Sequence, residues 1–183
     1  MRAIAGDKIY TVEEYIQEEL SSEVRHEFIN GQLYEMAGEK DINNELAFAI
    51  ALLFAGFLKV KGYTVYNHDV KVAIPGQNKY YYPDVFVTKE VKNEYNRYIK
   101  YETEIIIEIV SESTHSNDYI DKYIDYTKIP SLKYYLIVEP ETTLITVFER
   151  DGDNWVTHKY TQLGAIVKLP LFNVEFLVKQ VYE

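Results

Sequence analysis

The stretch Ile105-Ile-Ile-Glu-Ile-Val-Ser111 constrains this chain more than any other. A short run this apolar reads as a strand covered on both faces. A carboxylate in its middle, Glu108, costs stability unless a cation or an ion-pair partner meets it. Upstream, Tyr80-Tyr-Tyr-Pro-Asp-Val-Phe-Val87 repeats the arrangement around Asp84, and downstream residues 116–128 read as a helix carrying Lys122. Two strand carboxylates and a helical lysine form the candidate site, and the other elements read as the frame that brings them together.

The frame follows in chain order. Thr11-Val-Glu-Glu14 is a capping box that starts a helix over 12–20. Residues 24–29 and 32–36 flank Asn30-Gly31, the strongest short hairpin signal. Apolar residues at 46, 50, 53, 57 and 60 give a long amphipathic helix over 42–61, with Gly62 where a C-terminal cap belongs. Strands are expected at 63–66, 69–74, 80–87, 104–110 and 133–138, with a polar, partly helical excursion at 89–100. The order strand 104–110, helix, strand 133–138 predicts a right-handed crossover between parallel strands. A second hairpin spans 142–161, and Asn173 caps a last short helix over 173–182. The expectation is one α/β domain over residues 1–183, with a mixed central sheet flanked by helices.

The 183-residue length suffices for one real core, and eighteen tyrosines favour a sheet-rich protein. A formal net charge of -10 disfavours casual nucleic-acid binding, yet it leaves room for an enzyme that brings divalent cations to its substrate. With no cysteine there is no thiolate metal site and no cysteine nucleophile. The apolar stretch 46–60 contains Gly56 and Lys59 and is shorter than a membrane span, so no membrane and a cytoplasmic location are expected.

Pro83 marks a strand edge or bulge, because proline fixes its own φ and removes a donor. A carboxylate just after it, Asp84, can be aimed into a cleft. Glu108 lies 24 residues later on the next predicted strand. If those strands are neighbours, both acids reach one hard cation. Mg²⁺ typically takes one or two protein carboxylates and completes its shell with water and phosphate oxygens. Such an ion activates water and holds a phosphate, and Lys122 would stabilise the developing charge. Asp118 shares a helix face with Lys122 and either pairs with it or is a plain first-turn acid. Ser111, Ser113 and Thr114 either cap the helix or donate to phosphate. Glu27 is either a third carboxylate at the site or a surface position. The four scattered histidines form no ligand pattern, and the tyrosine clusters read as sheet packing.

The blocks Arg25-His-Glu-Phe-Ile-Asn-Gly31, Tyr82-Pro-Asp-Val-Phe-Val87, Ile107-Glu-Ile-Val-Ser-Glu-Ser-Thr114, Asp118-x-x-x-Lys122 and Tyr134-Tyr-Leu-Ile-Val138 together resemble the Uma-two family of bacterial restriction-endonuclease-like proteins. The resemblance covers residues 11–176 and implies the PD-(D/E)xK nuclease superfamily: a restriction-endonuclease-like sheet flanked by helices, Mg²⁺ or Mn²⁺, and hydrolysis of DNA. By the same resemblance Asp84 and Glu108 match the metal-binding acids, Lys122 the helical lysine and Glu27 the N-terminal acid. Val110 stands where the superfamily has its lysine, Glu112 where the family has proline, and Asn43 where it often has histidine. Nucleases that cut both strands often pair two sites about a two-fold axis, which makes a homodimer the expected assembly. An inactive interaction module on the same fold, and a nuclease for RNA or branched DNA, are the alternatives.

Overall fold

Among the described residues the chain builds two larger sheets and one two-stranded sheet, and one of its crossings between the larger two is at Pro83. The structure is a computed structural model and describes residues 8–36, 38, 40–92, 97–110 and 117–183, with backbone alone for 117–119. Ser111, Ser113 and Thr114 lie outside the described residues, as does the Asp118 side chain.

Helix α1 (Val12–Ser21) opens with both halves of the expected capping box: the Glu14 N–H donates to Thr11 Oγ1 at 3.1 Å, and the Thr11 N–H donates to Glu14 Oε2 at 2.8 Å. Strands β1 (His26–Ile29) and β2 (Gln32–Glu35) turn through Asn30 and Gly31 at φ 52° and 90°. A Cβ on Gly31 would lie 2.6 Å from the Ile9 side chain, so both space and backbone require glycine there. Helix α2 (Asp41–Leu58) tightens into a 3-10 turn, Lys59–Lys61, and stops at Gly62 with φ 82°. Together they make a 21-residue segment, Asp41–Lys61, long and apolar enough by length and composition to cross a membrane. The apolar helix is thus longer than 46–60, and the core helix of a soluble protein passes the same test. In this fold Leu46, Ala47, Ile50, Phe54 and Leu58 are buried in the main core.

Strands β3 (Thr64–Asn67), β4 (Lys71–Ala73), β5 (Lys79–Tyr81), β6 (Val85–Thr88), β7 (Ile99–Lys100) and β8 (Ile105–Ile109) precede helix α3 (Asn117–Tyr126). Strands β9 (Tyr134–Val138), β10 (Ile145–Asp151), β11 (Asn154–Tyr160), β12 (Ile166–Leu169) and β13 (Val174–Leu177) follow, and helix α4 (Lys179–Tyr182) ends the chain. The central sheet has the order β11-β10-β9-β8-β6-β3, and a second sheet has the order β2-β1-β5-β4-β7. The crossover through α3 joins β8 and β9 in parallel, as the spacing predicts.

Two expectations need correction. The single strand over 80–87 is two strands in different sheets, because Pro83 has no N–H to continue the first ladder and the chain changes layer there. The helix expected over 173–182 is strand β13 followed by a single helical turn. Asn173 is not its N-cap: it sits at φ 50° and closes the 3-10 turn Pro170–Phe172. Alternate burial of Val174 and Phe176 around exposed Glu175 has the period of a strand. Among the described residues of 89–100 there is no helix, and Ile99–Lys100 pairs with β4; residues 93–96 lie outside the described residues.

The layers follow from strand parity. Val85, Val87, Ile105 and Ile107 point to α2 and the β12–β13 hairpin. Phe86 and Ile106 point the other way, to Tyr126 and Ile129 at the end of α3 and to Val72, Ile74 and Tyr81 of the second sheet. The far face of that sheet, with Phe28, Leu33 and Tyr80, is covered by Tyr15 of α1. Even-numbered positions of β6 and β8 therefore look into the space between the two sheets.

Candidate active site

Asp84 and Glu108 share that even parity. Val85 pairs with Ile107 across antiparallel β6 and β8, and one step further puts Asp84 opposite Glu108. Asp84 Oδ2 accepts the Ile109 N–H at 2.6 Å, which pins the carboxylate to the neighbouring strand. Both acids are 5% exposed.

Two residues of α3, one turn apart, reach Glu108. The Tyr126 hydroxyl donates to Glu108 Oε1 at 2.7 Å, and Lys122 Nζ lies 3.4 Å from the same oxygen. Among the described residues every hydrogen bond to this carboxylate ends on Oε1, which leaves Oε2 for another partner. Lys122 Nζ also donates to Glu27 Oε1, at 2.8 Å. Glu27 comes from β1, in the other sheet, and is 1% exposed, so it is not a surface position. Its Oε1 also receives the Tyr82 N–H at 3.3 Å, while Oε2 is buried with no partner. A buried acceptor in that state is costly, and each one in a native fold calls for an explanation.

The electrostatics follow from this packing. Burial alone would lower the pKa of the Lys122 ammonium, but Glu108, Glu27 and Asp84 outweigh it and push it up, so the side chain stays cationic. Burial raises the pKa of Glu27; Lys122 pulls it back and Glu108 pushes it further, and the net direction is up. Burial, followed by the charges of Glu108 and Glu27, keeps the Tyr126 hydroxyl protonated and a donor. With all acids ionised, three carboxylates against one ammonium leave a formal excess of two negative charges.

Below Lys122, the Tyr81 ring centroid lies 5.5 Å from Nζ. The Tyr81 hydroxyl donates to Asp125 Oδ2 at 2.7 Å, and Lys79 and Lys128 close on the same carboxylate at 2.6 and 2.8 Å. Burial would raise the Asp125 pKa, but these three donors outweigh it and hold it below the usual carboxylate range. That contribution to stability is present above the unfolded pKa and is lost as pH falls through the folded one. Asp125→Ala removes a buried, triply bonded acceptor, and we expect it to cost about 2–4 kcal/mol at neutral pH. Urea unfolding at neutral and acidic pH measures both the loss and its decline on acidification.

The sequence assigns Tyr81 to packing and His68 to the scattered histidines without a ligand pattern, and it does not single out Tyr126 or Asp125. Tyr126 had a legible signal, four residues after Lys122 on one helix face. The His68 backbone N–H donates to the Asp84 carbonyl at 3.2 Å, and its Nδ1 lies 3.6 Å from Asp84 Oδ1. No pattern in the sequence points to it.

The donors here are hard oxygens, as Mg²⁺ or Mn²⁺ prefer. Among the described residues no group of three or more Asp, Glu, His or Cys side chains is placed to hold a metal ion. Two carboxylates with water and phosphate oxygens suffice for Mg²⁺, and the free oxygen of Glu108 and the excess negative charge fit a divalent ion.

A family model, Uma2, described as "Putative restriction endonuclease", matches residues 12–178. The chain is 28% identical over 172 residues to the uncharacterized protein slr1290 of Synechocystis sp., covering 93% of this chain and 90% of that one. It is also 28% identical over 155 residues to the uncharacterized protein sll1609 of the same organism, covering 84% and 88%. A crystal structure of "a putative nuclease belonging to DUF820" from Anabaena variabilis superposes with a TM-score of 0.76 at 14% identity, over 94% of this chain and 97% of that one. At that identity the likeness speaks for the fold.

Proposed function

The chain belongs to the Uma2 family, described as "Putative restriction endonuclease", and from that premise we propose that it is a metal-dependent endonuclease hydrolysing DNA phosphodiester bonds. The observation that carries this reading is the meeting of Glu27 and Glu108, from two different sheets, on the ammonium of Lys122, with Asp84 opposite Glu108.

Asp84 and Glu108 would hold Mg²⁺ or Mn²⁺. When bound, such an ion lowers the pKa of its water and polarises the phosphate. The protein's own groups do the rest. Tyr126 fixes Glu108 through Oε1 and keeps Oε2 available. Lys122, permanently charged, meets the negative charge that grows on the phosphate oxygens, where a preorganised donor in a dry site is worth most. Glu27 and the Tyr81 ring aim that ammonium. A bound cation also offsets the repulsion between a net-negative protein and DNA. We assign the enzyme one restriction-endonuclease-like domain, the PD-(D/E)xK superfamily, a cytoplasmic location and a homodimeric assembly that presents two sites to the two strands.

Metal titration tests the reading without a substrate. An ion that binds only the folded state at one hundred times its Kd contributes about 2.7 kcal/mol. For a chain of this size that is a rise of about 5–10 °C in Tm. Mg²⁺ or Mn²⁺ should produce it in the wild type, and Glu108→Gln should abolish it. A flat titration of the wild type removes the metal from the proposal.

One observation favours a second reading, a nuclease fold kept as an interaction module. Lys122 Nζ already stands between the two glutamates and neutralises part of their charge. That reading expects a silent metal titration together with a stoichiometric protein partner. Parallel cleavage assays on duplex DNA, branched DNA and RNA separate the substrate classes.

A further inference from the structure

Beside Asp84 a cleft of about 500 Å³ opens, lined by Arg25, Met36, Asn44, Asn67, His68 and Asp69 among others. Pockets that hold small organic groups run from about 300 to 1,000 Å³. His68 is the wall shared with the acid site. Its backbone is left-handed at φ 52°, a region that histidine, asparagine and aspartate enter more readily than other residues with a Cβ. Two main-chain bonds hold it there, His68 N–H to the Asp84 carbonyl at 3.2 Å and Asp69 N–H to the Asn67 carbonyl at 2.6 Å. The ring's Nδ1 edge faces Asp84 Oδ1 at 3.6 Å, and its Nε2 is buried with no partner. A constrained backbone, one ring nitrogen turned to a candidate catalytic acid and a second that is buried and unpaired make a group short of one partner.

The lining says what. The side-chain amides of Asn44 and Asn67 offer both donors and acceptors, and Val24 and Met36 supply apolar surface. The Arg25 guanidinium is paired with Asp69 at 2.6 Å, with both side chains more than half exposed, so it can turn to a phosphate at little cost. Donors and acceptors beside an apolar wall match the edge and face of a nucleobase, and an arginine at the rim matches its phosphate.

We infer that this cleft takes the nucleotide next to the scissile phosphate of a DNA strand, and that the part-exposed His68 ring turns to bring its Nε2, sealed from solvent in the free protein, to that nucleotide. The inference rests on the nuclease reading and adds a specificity subsite to it. His68 becomes a substrate-contacting residue, and Asn44, from the start of α2, a second contact in the same lining.

Duplex oligonucleotides that each lack one base, with the abasic position moved along the strand, test this. Binding is measured in Ca²⁺ and cleavage in Mn²⁺, for wild type, His68→Asn and Asn44→Ala. Asparagine tolerates the left-handed backbone, and Asn44 is exposed, so at least one variant keeps the fold. Wild type should lose about tenfold in affinity at one abasic position beside the cut, the size of one good base contact. Each variant should bind intact DNA about tenfold more weakly and be indifferent to that abasic position. If wild type binds and cuts DNA but shows no sensitive position, or the variants match it, the subsite is overturned and the nuclease reading stands. If wild type neither binds nor cuts, both fall. Preferential binding of the matching RNA overturns the assignment to DNA.

Discussion

Asp84→Asn is expected to leave the protein folded and to lower Mn²⁺-supported DNA nicking by about 10²–10³-fold, the usual loss when one preorganised charged contact is removed from an active site. Asparagine is the informative substitution because Asp84 has two duties. Its Oδ2 accepts the buried Ile109 N–H at 2.6 Å, and the amide oxygen of asparagine can still do so. What asparagine cannot supply is the negative charge opposite Glu108. Alanine would remove both, leave a buried donor unpaired at a cost of about 1–3 kcal/mol, and confuse instability with inactivity. The assay compares nicking of supercoiled plasmid at equal concentrations of folded protein, checked by thermal melting. Equal nicking by wild type and variant, including none by either, would remove Asp84 from the chemistry.

Lys122→Met should destabilise the fold about as strongly as Asp125→Ala. Glu27 and Glu108, at 1% and 5% exposure, would face each other without the cation between them. Removing one partner of a buried pair typically costs about 3–5 kcal/mol, and the 17% exposure of the Lys122 side chain reduces this to about 2–4 kcal/mol at neutral pH. The pH dependence fixes the cause. Burial already raises the folded-state pKa of Glu27, and losing the Lys122 charge raises it further. A carboxyl shifted upward contributes stability that is full below its unfolded pKa and is lost as pH rises through its folded one. The deficit of the variant should therefore be greatest at neutral pH and shrink as the pH falls towards the ordinary carboxylate value near 4.5. Adding Glu27→Gln to Lys122→Met should recover part of it at neutral pH. Urea midpoints at neutral and acidic pH measure all three effects. A deficit of the same size at both would mean that packing, not charge, is what Lys122 supplies.

Much of this was legible in the chain because it depends on local rules. Asn30-Gly31 announces its hairpin, the capping box starts α1, and the 24-residue spacing of Asp84 and Glu108 puts both acids at even positions of strands that pair. The family blocks carried the fold class, which the match to the family model and the superposition bear out. Other features depend on contacts between distant segments. That Pro83 divides a tyrosine-rich strand between two sheets follows from which ladder each half joins, and sequence alone does not say. Glu27 reaches Lys122 only because the second sheet packs beside α3, across 95 residues of chain. His68 is one of four histidines without a ligand pattern, and a left-handed backbone at histidine has no sequence signature. Residues 173–182 read as a helix because a four-residue strand leaves too short a pattern to outweigh an asparagine that resembles a helix cap.

The passage from β5 to β6 consists of Tyr82, Pro83 and Asp84, and both of its outer residues are in use: the Tyr82 N–H on Glu27, the Asp84 carboxylate on Ile109. Its length is therefore not free to drift as surface loops do. One extra residue after Asp84 would swing the carboxylate to the α2 side, among Val85 and Ile107. One before Tyr82 would slacken the hydrogen bond that draws Glu27 into place. Insertions and deletions accumulated by relatives should spare this connector, while the turn after β10, with Gly152 in open space, can absorb them.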